Sequence, residues 1–310
     1  MKSSQQDVLE AARGWLRQGF GVELVTVVGT WGSSPRPQGS IAAIRDDGVL
    51  AGSVSGGCVE SQLSKQFRVH DMPRAHTHHI DDEHAKRFGL ACGGNLELLF
   101  ETLDDVSAID CLLQYLNRRE RVVRRVSTDT GAVTIDTANS NDVFSWQAPE
   151  LTQVFGPGWQ LLIVGAGELS RYTAQFAKAL DFDVLVVDPR DKFRECWDIE
   201  DIPVIDMSPD DAVLKYASDH RSAVLALSHD PNIDDLALME ALPSDTFHVG
   251  VLGSRKNYAK RCKRLVGLDV PEPSVKRLKG PVGISIGARG SAEIAVSIVA
   301  ELIQVRQPFL

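Results

Sequence analysis

Residues 160–170 read Gln160-Leu161-Leu162-Ile163-Val164-Gly165-Ala166-Gly167-Glu168-Leu169-Ser170. A short apolar run that stops at glycine is the mark of a buried strand, and the residues after it keep a helical pattern to Leu180. A second strand over Asp183 to Val187 ends on Asp188, roughly 20 residues beyond the glycine turn. Strand, glycine turn, helix, strand and acid make up the dinucleotide-binding pattern. The backbone can approach a ligand closely at Gly165 and Gly167, a phosphate meets the N-terminus of the helix, and Asp188 meets ribose hydroxyls. The third glycine of the pattern is Ser170, still small enough for close contact between helix and strand.

The alternation continues through Val204-Ile205, a helix over Pro209 to Ser218, Ala223 to Leu227, a helix over Asp230 to Leu242, and Phe247 to Leu252. Strands separated by helices predict a parallel, doubly wound sheet, with ligands expected beyond the carboxyl ends of the strands. Two such ends stand out, Ser228-His229-Asp230 and Gly253-Ser254-Arg255-Lys256. The second opens a basic helix (Lys256, Lys260, Arg261, Lys263, Arg264), which reads either as an anion cradle at Ser254 and Arg255 or as a solvated face.

With 310 residues the chain has room for two domains. Gly156-Pro157-Gly158 suggests the joint, with one domain over 1–150 and a second over 158–310. The expected fold class is α/β, an N-terminal mixed α/β cofactor domain followed by a Rossmann-like doubly wound parallel sheet. A hydrophobic content of 43% with 24% charged residues is that of a soluble globular protein. A net charge of -9 and a pI near 5.4 argue against nucleic-acid or anionic-membrane binding. No apolar run has the length of a membrane span, and no signal segment opens the chain, so a cytoplasmic location is expected. The five cysteines contain no C-x-x-C pair and are expected to stay reduced.

The N-terminal half begins with an amphipathic helix from Asp7 to Gly19 and a β-rich run from Val22 to Val28. The loop Gly29-Thr30-Trp31-Gly32-Ser33-Ser34-Pro35-Arg36-Pro37 follows. Arg36 and the serines Ser33 and Ser34 could grip a phosphate, or the loop could be an ordinary connection. A hairpin turning at Asp46-Asp47-Gly48 then leads into Gly52-Ser53-Val54-Ser55-Gly56-Gly57-Cys58-Val59-Glu60. Gly56 and Gly57 permit a tight turn, and a helix is expected over Val59 to Val69. A thiol at the first turn of that helix would have its pKa drawn down, giving a reactive sulfur beside an anion-binding turn. A buried structural cysteine accounts for the same residues.

Five of the eight histidines fall between His70 and His84, in a polar segment that holds no helical H-x-x-x-H frame and to which no metal is assigned. Gly89-Leu90-Ala91-Cys92-Gly93-Gly94 repeats the cysteine-in-glycine theme. Spacing alone does not bring Cys58 and Cys92 together.

The motifs Gly32-Ser33-Ser34-Pro35-Arg36, Gly52 to Glu60, Cys92-Gly93-Gly94, Val187-Asp188-Pro189-Arg190, Gly253 to Lys256 and Glu293 to Ile298 stand in an order that closely resembles the xanthine dehydrogenase accessory factor (XdhC/CoxI) family. The resemblance implies a chaperone that binds the molybdopterin form of molybdenum cofactor, protects it, and hands it to an apo molybdenum hydroxylase of the xanthine dehydrogenase type. It further implies a homodimer and a sulfur-donating desulfurase as a partner. By the same resemblance Cys58 and Cys92 face the cofactor or its metal, while Ser33, Ser34 and Arg36 meet its phosphate or pterin. Glu168 and Ser170 stand where family members commonly carry histidine and glycine. A carboxylate at that helix start would repel a pyrophosphate. The alternative is an NAD(P)-dependent oxidoreductase working through Gly165, Gly167 and Asp188, with a nucleotide or NAD(P) in the C-terminal domain.

Overall fold

A computed structural model of the chain describes residues 5–32, 36–57, 59–65, 67–80, 94–139 and 141–306. The chain divides into two compact units, Met1–Pro157 and Gly158–Leu310.

The first unit is built on a five-stranded antiparallel sheet of order β3-β2-β1-β5-β4. Its strands are β1 (Val22–Gly32), β2 (Ile41–Arg45), β3 (Leu50–Gly52), β4 (Arg74–Ile80) and β5 (Gly94–Leu103). Alternate side chains of β1 point to opposite faces. Val22 and Leu24 pack with α1 (Gln5–Arg17) and with a helix over Ser107–Asn117, which becomes α3. Val25 and Val27 face the other way, with Leu96, Leu98 and Phe100 of β5, under Val54, Val59 and Leu63. That cover includes α2, which is only Glu60–Leu63. The helix expected over Val59 to Val69 is therefore a single turn. Its first carboxylate turns back into the preceding loop, and beyond it Phe67 drops into the core while the His70 N–H bonds Thr102 Oγ1 at 2.8 Å.

A second sheet, of order β7-β6-β9-β8, comprises β6 (Val122–Ser127), β7 (Val133–Thr137), β8 (Ser145–Gln147) and β9 (Glu150–Phe155). Because β9 pairs with both β6 and β8, the first unit extends past residue 150 to Pro157. The buried Arg124 of β6 donates to both oxygens of Glu101 on β5, at 3.1 and 2.5 Å, and ties the two sheets together.

The second unit is the doubly wound sheet read from the sequence. Its strands are β10 (Trp159–Val164), β11 (Phe182–Val187), β12 (Val204–Ile205), β13 (Ser222–Ala226), β14 (His248–Val251) and β15 (Leu278–Lys279), all parallel, in the order β12-β11-β10-β13-β14-β15. Counted within the unit this is the Rossmann order, which places a switch point between β10 and β13. Leu161 and Ile163 point to one face, against α4 (Glu168–Ala179) and α10 (Ser291–Arg306); Leu162 and Val164 point to the other. That second face is covered by α6 (Pro209–Tyr216), α7 (Pro231–Ala241) and α8 (Arg255–Gly267). The short helices α5 (Asp191–Glu195) and α9 (Glu272–Val275) complete the unit. Among the described residues no helix is long and apolar enough to cross a membrane.

Candidate functional site

In the first unit, the register gathers the singled-out motifs at one end of the five-stranded sheet. Gly32 at the end of β1 pairs with Gly94 at the start of β5. Gly52 at the end of β3 pairs with Ala42, near the start of β2, which runs antiparallel to β1. The segments that carry Arg36, Gly56 and Gly57 thus leave the sheet from the same end. Arg36 and Ser53 line one cavity of about 150 Å³, with Ser40 and the Gly39 backbone. Ser33, Ser34, Cys58 and Cys92 lie outside the described residues.

The loop between Gly52 and Glu60 is organised by a carboxylate. Glu60 Oε1 accepts from Ser53 Oγ at 2.7 Å, Val54 N at 2.9 Å and Ser55 N at 2.8 Å. Its Oε2 accepts from Ser55 Oγ, from Gly57 N at 2.9 Å and from Val59 N at 3.2 Å. Burial alone would raise the Glu60 pKa, but the bonds from Ser55, Ser53 and the loop backbone outweigh it and hold the group at about 2. The Gly56 N–H is taken by Ser53 Oγ at 2.9 Å. An anion does sit at this turn, but it is the chain's own. The backbone N–H groups of Gly56 and Gly57, expected to meet a ligand, are already satisfied within the loop. Both glycines are exposed and have positive φ, +75° and +117°.

A second cavity, of about 130 Å³, is lined by Glu23, Leu63, Arg74, His76, His78 and Phe100. Glu23 is only 2% exposed, and burial, opposed by Arg74, pushes its pKa up to about 7. Its Oε1 has no hydrogen-bond partner, nor do the buried Nε2 atoms of His70 and His78. His70 Nε2 stands 3.4 Å from Glu23 Oε1. Burial lowers the pKa of both imidazoles, helped at His70 by Arg74 and Arg68 and at His78 by His76. Among the described residues no group of three His, Cys, Asp or Glu side chains is arranged to hold a metal.

In the second unit, Gly165, Gly167, Asp188, Ser228 and Ser254 all follow carboxyl ends of parallel strands and so share one edge of the sheet. Gly165 has φ +101°, and a Cβ there would stand 2.5 Å from Ser228 Cα, so this glycine lets two loops touch. Gly167 is different. Its φ is -87° and nothing lies within 4 Å of the place a Cβ would occupy. It borders a cleft of about 380 Å³ at the switch point, with Arg190, Phe193, Leu227, His229 and Asp230. His229 adopts φ +63°, a costly conformation for a side-chain-bearing residue. The turn rests on Asp234, which accepts from Ser228 Oγ at 2.7 Å and Ser228 N at 3.1 Å and pairs with Arg261 at 3.0 Å.

Asp188 does not serve the role expected of it. It is 0% exposed, and its two oxygens accept from Ala166 N at 2.8 Å, Arg190 N at 3.0 Å, Arg190 Nε at 2.9 Å and Arg190 Nη2 at 2.8 Å. Burial would raise its pKa, but Arg190 and the Ala166 N–H hold it below the usual carboxylate range. The acid braces the glycine turn, and Arg190, stacked 3.9 Å from the Phe193 ring, faces the cleft in its place. Glu168 accepts from Ser291 Oγ at 3.0 Å at the start of α10. Ser170 is fully buried against the sheet, as its size allows. Ser254 caps α8, accepting from Asn257 N at 3.3 Å, and Arg255 is exposed; neither lines the switch-point cleft. On the basic helix, Arg261 and Arg264 are bound to Asp234 and Asp235, so part of its charge is structural.

Residues 161–302 match the XdhC Rossmann domain, and residues 15–74 match the XdhC and CoxI family. The chain belongs to the XdhC and CoxI family. Relatives of this family member agree through both units. It is 27% identical to the molybdenum cofactor insertion chaperone PaoD of Escherichia coli (strain K12), over 99% of this chain and 90% of that protein. It is likewise 27% identical to a probable xanthine dehydrogenase subunit of Bacillus subtilis (strain 168), over 92% of this chain and 93% of the other. The crystal structure of a xanthine dehydrogenase from Bacillus halodurans superposes with a TM-score of 0.74 at 25% identity, covering 97% of this chain and 96% of that one.

Three residues of this family member have roles that sequence motifs alone do not assign. Glu60 lies inside the glycine–cysteine motif, and Arg190 inside the one around Asp188, but neither spacing says what its side chain holds. Glu23 belongs to no motif, although an acid between valine and leucine in a strand with no other charged residue is a readable signal.

Proposed function

We propose that this member of the XdhC and CoxI family binds molybdenum cofactor, shields it, and delivers it to an apo molybdenum hydroxylase of the xanthine dehydrogenase type. The observation that carries the reading is the likeness to a molybdenum cofactor insertion chaperone through both compact units. The donor set agrees with the ligand. Arg36 and Ser40 border one cavity, a guanidinium and a hydroxyl of the kind that meets a phosphate. Gly167 leaves open the space in which a side chain would block a second phosphate or a nucleotide.

In this reading Cys58 and Cys92 supply soft thiolates toward the metal end, and Ser33 and Ser34 join Arg36 at the phosphate. When bound, the cofactor supplies molybdenum carried on a pterin, and its redox chemistry is that of the client enzyme. The residues of this chain bind, orient and keep water away. Glu60 holds the loop between Ser53 and Val59 in one shape, so the glycines need not order on binding. The switch-point cleft takes a nucleotide or NAD(P), with Arg190 rather than Asp188 at its edge. The chaperone works in the cytoplasm as a homodimer, beside a sulfur-donating desulfurase. An NAD(P)-dependent oxidoreductase finds less support, because the acid that would read ribose is engaged inside the protein.

The test is anaerobic titration of purified molybdenum cofactor, under reducing conditions, into wild-type protein and Cys58→Ala. Stoichiometric binding by the wild type, lost in Cys58→Ala with unchanged thermal unfolding, is the expected result. Cys111→Ala and Cys262→Ala should bind as the wild type does. A wild-type protein that takes up no cofactor overturns the reading, and equal binding by Cys58→Ala removes that thiol from the site.

A further inference from the structure

The Glu23 cavity has a donor–acceptor pattern that its own protein surroundings leave open. Two buried polar atoms of its lining have no hydrogen-bond partner, Glu23 Oε1 and His78 Nε2, and His70 Nε2, outside the lining, stands 3.4 Å from Glu23 Oε1. Buried polar groups are nearly always satisfied, and two orphans at one cavity mark a place where a ligand or waters complete the network. The orphans differ in kind. Glu23 asks for N–H donors, whereas Arg74 on the same wall is a pure donor and the imidazoles can serve in either sense. A simple anion would meet Glu23, and a simple cation would meet Arg74. A metal would need a ligand set that the described residues do not form. The complement is a group carrying adjacent N–H donors and, next to them, a carbonyl acceptor.

Fused heteroaromatic rings of the 2-amino-4-oxopyrimidine type carry that edge. Their 2-amino group and ring N–H form a pair that a carboxylate accepts in parallel, and the 4-oxo group accepts from a guanidinium or an imidazole. Phe100 and Leu63 provide the apolar surface that such a ring needs, and a cavity of about 130 Å³ admits one ring edge rather than a whole cofactor. Leu63 also places the cavity. It ends the single turn that begins at Glu60, roughly 5 Å along the helix axis, so the cavity and the glycine–cysteine loop are joined by one rigid element.

We propose that the Glu23 cavity of the first unit binds the 2-amino-4-oxopyrimidine edge of a pterin, with Glu23 accepting its amino and ring N–H groups. The proposal rests on the molybdenum-cofactor reading above and assigns that cofactor's pterin end. Arg74, on strand β4, and the imidazole of His78 meet the carbonyl side.

The experiment titrates pterin into the full chain and follows quenching of pterin fluorescence, with lumazine and guanosine as comparison ligands. Lumazine replaces the 2-amino group with an oxygen; guanosine keeps the same edge on a purine. Saturable pterin binding, at least tenfold weaker lumazine binding, and at least a tenfold loss in Glu23→Gln are expected. Glu23→Gln keeps the side-chain shape and replaces one acceptor oxygen with a donor, and its folding is checked by thermal unfolding. Equal binding of pterin and lumazine, or equal pterin binding by Glu23→Gln and wild type, overturns the proposal. Guanosine binding that outcompetes pterin overturns the pterin assignment in favour of a purine nucleotide. If Glu23→Gln binds whole molybdenum cofactor as the wild type does, the cavity assignment fails while the chaperone reading stands. If pterin binds and whole cofactor does not, the chaperone reading fails instead.

Discussion

Replacing Glu60 with glutamine tests whether one carboxylate organises the glycine–cysteine loop. The side chain accepts six hydrogen bonds, three at each oxygen. Glutamine keeps the shape but turns an NH2 toward the donors at one of these positions, leaving the Gly57 N–H without an acceptor; the Val59 N–H still has Ser55 Oγ at 2.8 Å. The fall in pKa from 4.5 to about 2 corresponds to about 3 kcal/mol of preference for the ionised form. Partial exposure of the loop reduces the expected contribution to about 2 kcal/mol. The sign follows from the direction of the shift. A depressed folded-state pKa stabilises the protein above pH 4.5, and the contribution fades as pH falls toward 2. Urea unfolding followed by circular dichroism should therefore show Glu60→Gln weaker than wild type by about 2 kcal/mol at pH 7 and by about 1 kcal/mol at pH 3. Hydrogen exchange at pH 7 should rise by up to about 30-fold at the amides of Val54, Ser55 and Gly57. A deficit below about 0.5 kcal/mol at pH 7, or the same deficit at both pH values, would refute the assignment.

The two glycines of the dinucleotide turn should respond differently to alanine. Gly165→Ala meets Ser228 at 2.5 Å and an adverse φ, and should cost about 2 kcal/mol or more in thermal unfolding. Gly167→Ala meets open space at an ordinary φ and should stay within about 0.5 kcal/mol of wild type; equal losses would sink the distinction. At Glu23 the sign is the reverse of that at Glu60. A folded-state pKa raised from 4.5 to about 7 means that stability is fully present below pH 4.5 and is lost as pH rises through 7. The cost reaches about 3 kcal/mol at pH 8, so Glu23→Gln should be more stable than wild type there and should flatten the fall between pH 5 and 8. An unchanged pH profile of the stability in Glu23→Gln would contradict the burial argument.

The two units share a device. At Gly57 and at Ala166, backbone N–H groups of a glycine turn are held by an internal carboxylate, Glu60 in one case and Asp188 in the other. Both carboxyls are kept ionised against burial by their donors. Each turn is thereby fixed in shape, with a basic residue at the neighbouring cavity: Arg36 in the first unit and Arg190 in the second.

The doubly wound unit was legible because its information is local. Apolar runs that stop at glycine, helices of regular period between them and an acid at the end of the second strand require no knowledge of distant residues, and the parallel sheet follows from that alternation. The hairpin at Asp46-Asp47-Gly48, the small-residue substitution at Ser170 and the motif order that marks the family were readable for the same reason. Which partner satisfies each charge was not readable, because hydrogen bonding is settled by residues that only the fold brings together. Asp188 follows its strand as the pattern requires, yet Arg190 and Ala166 claim its carboxylate. The helix written into Val59 to Val69 stops after one turn because Glu60 caps the loop and Phe67 finds the core. The neighbours of Glu23 appear only when β4 lays His78 and Arg74 beside the same cavity. Sequence alone determined the architecture and the family. The tertiary structure decided which charges are engaged inside the protein, since burial and partners at long sequence separation set the state of each group.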